Sequence, residues 1–315
     1  MQRRLINGLL WLLGVCGFVG LVVYLGLGEL QSALESVDAS SVAAWMTIAL
    51  VARLLLTEVL VRPVSILGGT IRRSDAFWIG WLRSFLNLAF PLAGAAYLAR
   101  FIRSRTKLSW GEIAALASPQ VLFAALSVAV IGVFAVAITD RQSGDTLDAA
   151  MLAFMGIGGL AFAALRFSSR VGSLLPWAVA TRLQIGLQAL GLFHAHLGLV
   201  AWMVTIHSTI ILLRALQLGL LFFAIGEPVD WRSVLLLSSI GEVPLLLQIT
   251  PSGIGVREGT LLGAAVLIGL DAKLVTAVAI VDRLLGVGIV TLFAPLSTWF
   301  LSRSRRQAVP SPDGR

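Results

Sequence analysis

The 315-residue chain is 58% hydrophobic and 13% charged, with 24 Lys and Arg against 16 Asp and Glu for a net charge of +8. Apolar runs of roughly eighteen residues or more recur along it, which excludes an ordinary water-soluble domain and identifies a polytopic helical membrane protein. The runs are continuous rather than alternating, so a β-barrel is excluded and the fold class is all-α. Its basic residues cluster at the ends of these runs, a distribution that suits lipid headgroups and topology rather than nucleic acid.

In chain order, Arg3 and Arg4 precede a first apolar run at 5–27, longer than a signal-peptide core and without a clear cleavage site, so it reads as a retained span. It carries the single cysteine, Cys16, which leaves no intrachain disulfide framework. Further spans are expected near 42–61, 113–139, 149–165, 197–224 and 274–301, six in all. Basic clusters fall at Arg3–Arg4, at Arg62 with Arg72 and Arg73, at Arg100 to Lys107, at Arg166, Arg170 and Arg182, and at Arg303 to Arg306. Acidic loops fall at 29–38, 140–148, 226–231 and 269–273. The positive-inside rule places the first set, with both termini, in the cytoplasm of a cell whose inner membrane holds the chain. One transmembrane domain, 1–301, is then followed by a basic cytoplasmic tail, 302–315, expected to be disordered.

Two segments break this alternation. The stretch 76–99 is flanked by basic loops on both sides, and 233–268 by acidic loops on both sides, so each must enter and leave by one face. They read as re-entrant helical hairpins of opposite orientation, with Pro91 at one tip and Pro251, Gly253 and Gly255 at the other. Placing Pro91 over Pro251 aligns "FLNLAFPLAGAAY" with "LLLQITPSGIGVR", and a polar spot follows each in the next helix, "SPQ" and "VDR". This pattern suggests an inverted repeat whose broken helices meet near the midplane, as in many transporters.

Inside the apolar segments lie Arg53, Arg83, Arg214, Arg257 and Arg283 against Glu58, Glu242, Glu258 and Asp282, five minus four, or one positive charge in excess. Each costs about 2.5 to 3.5 kcal/mol at the centre of an inserting helix, too much for a passive anchor. Sequence neighbours on a helix point about 100° apart, so Arg257 and Glu258 cannot neutralise each other, nor can Asp282 and Arg283. Crossed pairs are expected, Arg257 with Asp282 and Glu258 with Arg283. In "PSGIG", Ser252, Gly253 and Gly255 precede a half-helix whose open amides and positive dipole end would lie at membrane depth, and with Arg257 alongside they make an anion site. The competing reading is that the pairs only hold the hairpin.

Weaker signals point elsewhere. His194 and His196 have no third ligand nearby, so neither a metal nor any other cofactor is expected. His207 is expected to make an interhelical hydrogen bond, and the glycines of 14–20 and 155–159 to form helix-packing surfaces. Thr181, Gln184 and Gln188, with Arg182 beside them, share one face of an expected interfacial helix.

The residues Pro251, Gly253, Gly255 and Glu258 fit a P-x-G-x-G-x-x-E pattern, with Arg283 in the following helix. This resembles the transmembrane domain of lysylphosphatidylglycerol synthases and of stand-alone flippase-like proteins. The resemblance implies a multi-spanning inner-membrane protein that moves a lipid between leaflets. The first break departs from the family pattern, since "PLAGAAYLAR" is apolar until Arg100. No aminoacyl-transferase domain follows in the sequence to Arg315, so lysyl-lipid synthesis is not carried over. The expected function is a lipid translocase, not an enzyme, acting on an anionic or polyprenyl-phosphate headgroup. Substrate contacts are assigned to Arg257, Glu258, Ser252, Gly253, Gly255, Asp282, Arg283 and Arg83. The alternative is a non-transporting subunit that holds a cell-envelope glycosyltransferase or lipid-modifying enzyme at the bilayer.

Overall fold

The computed structural model describes residues 2–90, 92–138, 144–174, 197–247 and 250–307, and the described residues are helical with short connections. The expectations for Pro91 as a tip, for Thr181, Arg182, Gln184 and Gln188, and for His194 and His196 lie outside the described residues.

Helix α1 (Gln2–Leu25) bends by 85° at Gly26, whose φ of 88° is open to glycine, into α2 (Leu27–Ser36). Part of the segment expected as an acidic loop at 29–38 is therefore helical. Asp38 then starts α3 (Ala39–Ile66) by accepting a 2.8 Å hydrogen bond from the Ser41 amide, a side-chain cap on the first turn. The chain continues through α4 (Arg73–Ala89), α5 (Ala93–Arg105), α6 (Trp110–Ile138) and α7 (Gly144–Leu174). After 197 come α8 (Leu197–Ala224), α9 (Trp231–Leu247), α10 (Val256–Leu267) and α11 (Ala272–Gln307).

Four of these helices are long and apolar enough to cross a membrane, over 39–66, 120–138, 198–224 and 272–304. The bent α1–α2 pair makes a fifth if it is one span. The expected span at 149–165 corresponds to Asp148–Ala164, a shorter apolar stretch of α7. The last helix runs to Gln307, so residues 302–307, expected as the start of a disordered tail, are helical.

The segments expected as hairpins are broken helices. At 17 residues, α4 and α9 reach about 25 Å, short of the ~30 Å hydrocarbon core. Each packs along the helix that follows its break, α4 on α5 and α9 on α10. Asp75 in the first turn of α4 lies 3.8 Å from Arg105 at the end of α5, so this unit ends beside its own beginning.

The helix lengths make a repeat visible. A long helix, two short ones and a long one follow each other twice: 28, 17, 13 and 29 residues for α3 to α6, then 28, 17, 12 and 36 for α8 to α11. The two units interleave, with α4 packed on α11 and α9 packed on α6. Their first helices are antiparallel. Gln217, late in α8, donates to the carbonyl of Trp45, early in α3, at 3.2 Å, while the Arg62 guanidinium, late in α3, stacks 4.0 Å from the ring of Trp202, early in α8.

Small residues set the close approaches, as expected for helices that pack in lipid. A side chain on Gly132 of α6 would strike the Phe154 ring of α7 at 2.4 Å, and one on Gly158 would meet the Ala129 methyl at 2.9 Å. In the first broken unit, a Cβ on Gly94 would lie 2.1 Å from the Arg83 carbonyl oxygen, and the Gly94 amide donates to Asn87 Oδ1 at 2.8 Å. Because that obstacle is backbone, Gly94→Val is expected to destabilise the folded protein by about 1–3 kcal/mol. A thermal melt of purified protein in detergent checks this: Gly94→Val should melt well below wild type, whereas a valine at open Gly28 should not.

Candidate functional site

The second break joins α9 to α10 through Thr250 to Gly255. Three positive φ values within four residues turn the chain: Ser252 at 50°, Gly253 at 72° and Gly255 at 77°. Two of these positions are glycine, for which the left-handed region carries no side-chain penalty. The Gly253 amide donates to the Thr250 carbonyl at 3.0 Å, and the Thr250 hydroxyl donates to the Ile254 carbonyl at 2.9 Å, so the turn is internally bonded. From α1, Gly17 covers the break: a Cβ there would touch Gly255 Cα at 3.7 Å. Of the glycines of 14–20, Gly17 serves the packing expected of it, whereas Gly20 has nothing within 4 Å.

The crossed pairs form. Arg257 Nη1 donates to Asp282 Oδ2 at 2.8 Å, and Arg283 Nε donates to Glu258 Oε1 at 2.7 Å. Both pairs join α10 to α11, and Arg257, Glu258 and Asp282 are 8%, 1% and 8% exposed. Such groups hold their charge away from water only when every lone pair finds a partner. Glu258 achieves this by reaching back: its Oε2 accepts from the Gly255 amide at 2.8 Å, so this carboxylate sits at the positive end of α10. Arg283 Nη1 donates to the Ser252 carbonyl at 3.0 Å. Asp282 Oδ1 accepts from Trp45 Nε1 at 3.0 Å, which brings α3 into the network. A third pair, Arg214 Nη1 to Glu242 Oε1 at 2.5 Å, links α8 to α9.

The site residues expected from the sequence are therefore brought together, with one exception. Ser252, Gly253, Gly255, Arg257, Glu258, Asp282 and Arg283 form one cluster; Arg83 stands in the first broken unit without an ion-pair partner among the described residues. The anion expected at the "SGIG" amides is, in this conformation, the protein's own Glu258 carboxylate. Two donors are left over: Arg257 Nε and Arg283 Nη2 are buried with no hydrogen-bond partner among the described residues. Trp45 was missed by the sequence reading, because a tryptophan within an apolar run gives no sign of which acid its N–H will meet. His207 does not behave as expected, since its Nε2 is buried without a hydrogen-bond partner among the described residues. Nor does Glu58 act at depth: it pairs with Arg73, an exposed residue at the start of α4, at 2.5 Å.

Removing one member of a buried pair strands the other, at a cost of about 3–5 kcal/mol. Glu258→Arg and Arg283→Glu are each expected to lower the melting temperature and yield of folded protein sharply, and the double exchange to recover only a small part of the loss, because it strands the Gly255 amide and turns a carboxylate on the Ser252 carbonyl. The same cycle at Arg257 and Asp282 should recover more, because there only the Trp45 N–H loses its acceptor.

Comparison with known proteins gives one match. The family model described as "Lysylphosphatidylglycerol synthase TM region" matches residues 11–294. No curated protein matches, and no solved structure matches.

Proposed function

The chain belongs to the lysylphosphatidylglycerol synthase transmembrane family, and on that premise we propose that it is a lipid translocase of the cytoplasmic membrane. The observation that carries this reading is the interleaved pair of four-helix units, each with a broken helix, and a balanced charge network at the second break. Transporters built from inverted repeats place their substrate site at such breaks and change access by moving one unit against the other. Under this reading α4–α5 enters from the cytoplasmic side and α9–α10 from the opposite side, giving six spans and two re-entrant hairpins with both termini in the cytoplasm. No catalytic role is assigned to any residue.

The network suits exchange of one anion for another. Arg257 and Arg283 hold internal carboxylates at rest, and a lipid phosphate has the same bidentate geometry toward a guanidinium as a carboxylate. Arg257 Nε, without a partner at rest, would be the first donor to meet it. Glu258 and Asp282 would then keep the charge balance, and the amides of Ser252 to Gly255 would take over from Glu258 as it leaves. Arg83 contacts the headgroup from the first unit.

A second reading is favoured by the same closure. A network in which every arginine faces an acid also serves as a lock, in a membrane subunit that holds a cell-envelope glycosyltransferase or lipid-modifying enzyme. The two are separated in proteoliposomes containing fluorescent phosphatidylglycerol, with quenching of the outer leaflet followed over time. Wild type should move label between leaflets, and Glu258→Gln, compared at equal amounts of reconstituted folded protein, should slow it at least ten-fold. A wild-type protein that moves none of the phosphate-bearing lipids offered would leave the subunit reading standing. Topology is checked separately in cells, with Cys16, exposed in this fold, first replaced by alanine. An impermeant maleimide added from outside should label Glu227→Cys and not Ser104→Cys, both exposed positions.

A further inference from the structure

The buried charges balance everywhere except at one place. Arg214, Arg257 and Arg283 each face an acid, Glu242, Asp282 and Glu258. Glu58, the fourth acid in the apolar segments, is taken by Arg73 at a helix end. Arg53 and Arg83 are thus left without a carboxylate among the described residues, and neither is fully exposed. Arg53 stands midway along the 28-residue α3, about 20 Å from either end. That places an unpaired guanidinium near mid-depth in a bilayer, where ionisable groups mark substrate and ion pathways.

Its surroundings hold it in position without neutralising it. Gly80 of α4 leaves the room: a Cβ there would come within 3.1 Å of Arg53 Nη1. The guanidinium lies over the Trp81 ring at 4.3 Å from its centroid, and Nη2 donates to Ser84 Oγ at 2.8 Å. It is thereby fixed against the turn of α4 that carries Arg83. Trp81 adds a further donor, its buried Nε1, which has no hydrogen-bond partner among the described residues. Donors and positive charge gather here with Ser84 Oγ as acceptor but with no carboxylate among the described residues to match the charge. On the same helices Val51, Leu54 and Phe85 are exposed apolar residues, so the arginines lie at the edge of lipid-accessible surface.

We infer that Arg53 and Arg83, on the Gly80–Trp81–Ser84 face of α4, bind one phosphate group between α3 and α4, and that a lipid headgroup carries it. This rests on the translocase reading and gives it a point of first contact. Arg257 and Arg283 must give up a carboxylate before they can take a phosphate; Arg53 and Arg83 have none to give up. A phosphate accepts from several donors at once and fits paired guanidinium groups, whereas a neutral headgroup would leave the excess charge in place.

The test is equilibrium binding to the purified full chain in uncharged detergent, by calorimetry and by ligand-induced shift of the melting temperature. Three probes are used: dihexanoyl phosphatidylglycerol, dihexanoylglycerol, which lacks the phosphate, and inorganic phosphate. Wild type should bind the phospholipid and not dihexanoylglycerol, and Arg53→Gln or Arg83→Gln should each weaken that binding at least ten-fold. With no ligand present, the two variants should melt no lower than wild type, since each removes an unpaired buried charge; a merely structural arginine would do the opposite. Inorganic phosphate that binds as tightly as the phospholipid, with the same dependence on both arginines, upholds the phosphate site and overturns the lipid as its source. Phospholipid binding unchanged in both variants, or variants that melt far below wild type when empty, overturns the site. Because no transport is measured, the two readings fail separately. Lipid movement with arginine-independent binding removes this site and leaves the translocase, and arginine-dependent binding without lipid movement does the reverse.

Discussion

The crossed pairs Arg257–Asp282 and Glu258–Arg283 are the constraint on which the second half of the molecule depends. Two adjacent residues of α10 and two adjacent residues of α11 carry opposite charges in opposite order, so satisfying both pairs fixes the rotation and the register of one helix against the other. A slip by one residue would bring Arg257 toward Arg283 and leave two acids unpartnered. At this burial each stranded charge costs several kcal/mol, so the arrangement is strongly selected over its neighbours.

The break before α10 follows from the same pairs. Glu258 can serve Arg283 with one oxygen and the Gly255 amide with the other only if the chain arrives at α10 by a sharp left-handed turn. Ser252, Gly253 and Gly255 supply that turn. The turn in turn exposes the Ser252 carbonyl to Arg283. Covering it, Gly17 lets α1 approach the backbone of Gly255. Packing, turn chemistry and charge therefore agree at this point, and each is needed by the others.

The first half solves a related problem with different means. Its break is held by the close approach of Gly94 to the Arg83 carbonyl and by the Asn87 side chain, and the ion pair that joins α4 to α5, Asp75 with Arg105, lies at the far end of the unit. Aromatic stacking fastens it to the second half: Trp78 on Phe300 at 4.4 Å between ring centroids and Trp81 on Phe293 at 4.8 Å. At its outer end, Ser304 of α11 donates to Asp75 and accepts from Arg105 at 3.1 Å each. Among the described residues, one half of the repeat thus carries a charge-balanced network and the other two arginines that face no carboxylate.

Much of this was legible in the sequence, and the reasons are local. Hydrophobic length and continuity decide that helices cross a bilayer, because an unpaired backbone is too costly in lipid. Glycine decides where the chain breaks before α10, through the positive φ of Gly253 and Gly255. The order of charges in "RE" and "DR" decides the crossed pairing, since helix geometry forbids neutralisation between neighbours. Tertiary structure decided the rest. The bend at Gly26 and the helical continuation to Gln307 depend on packing that periodicity does not record. The destination of Glu58 shows why most plainly. By sequence it counts among the buried acids and offsets one arginine; in the fold it turns to Arg73 at a helix end. Which arginines remain uncompensated is a property of how α3, α4 and α8 meet, because a charge is neutralised by what lies within a few ångströms of it and not by the composition of the segment that carries it.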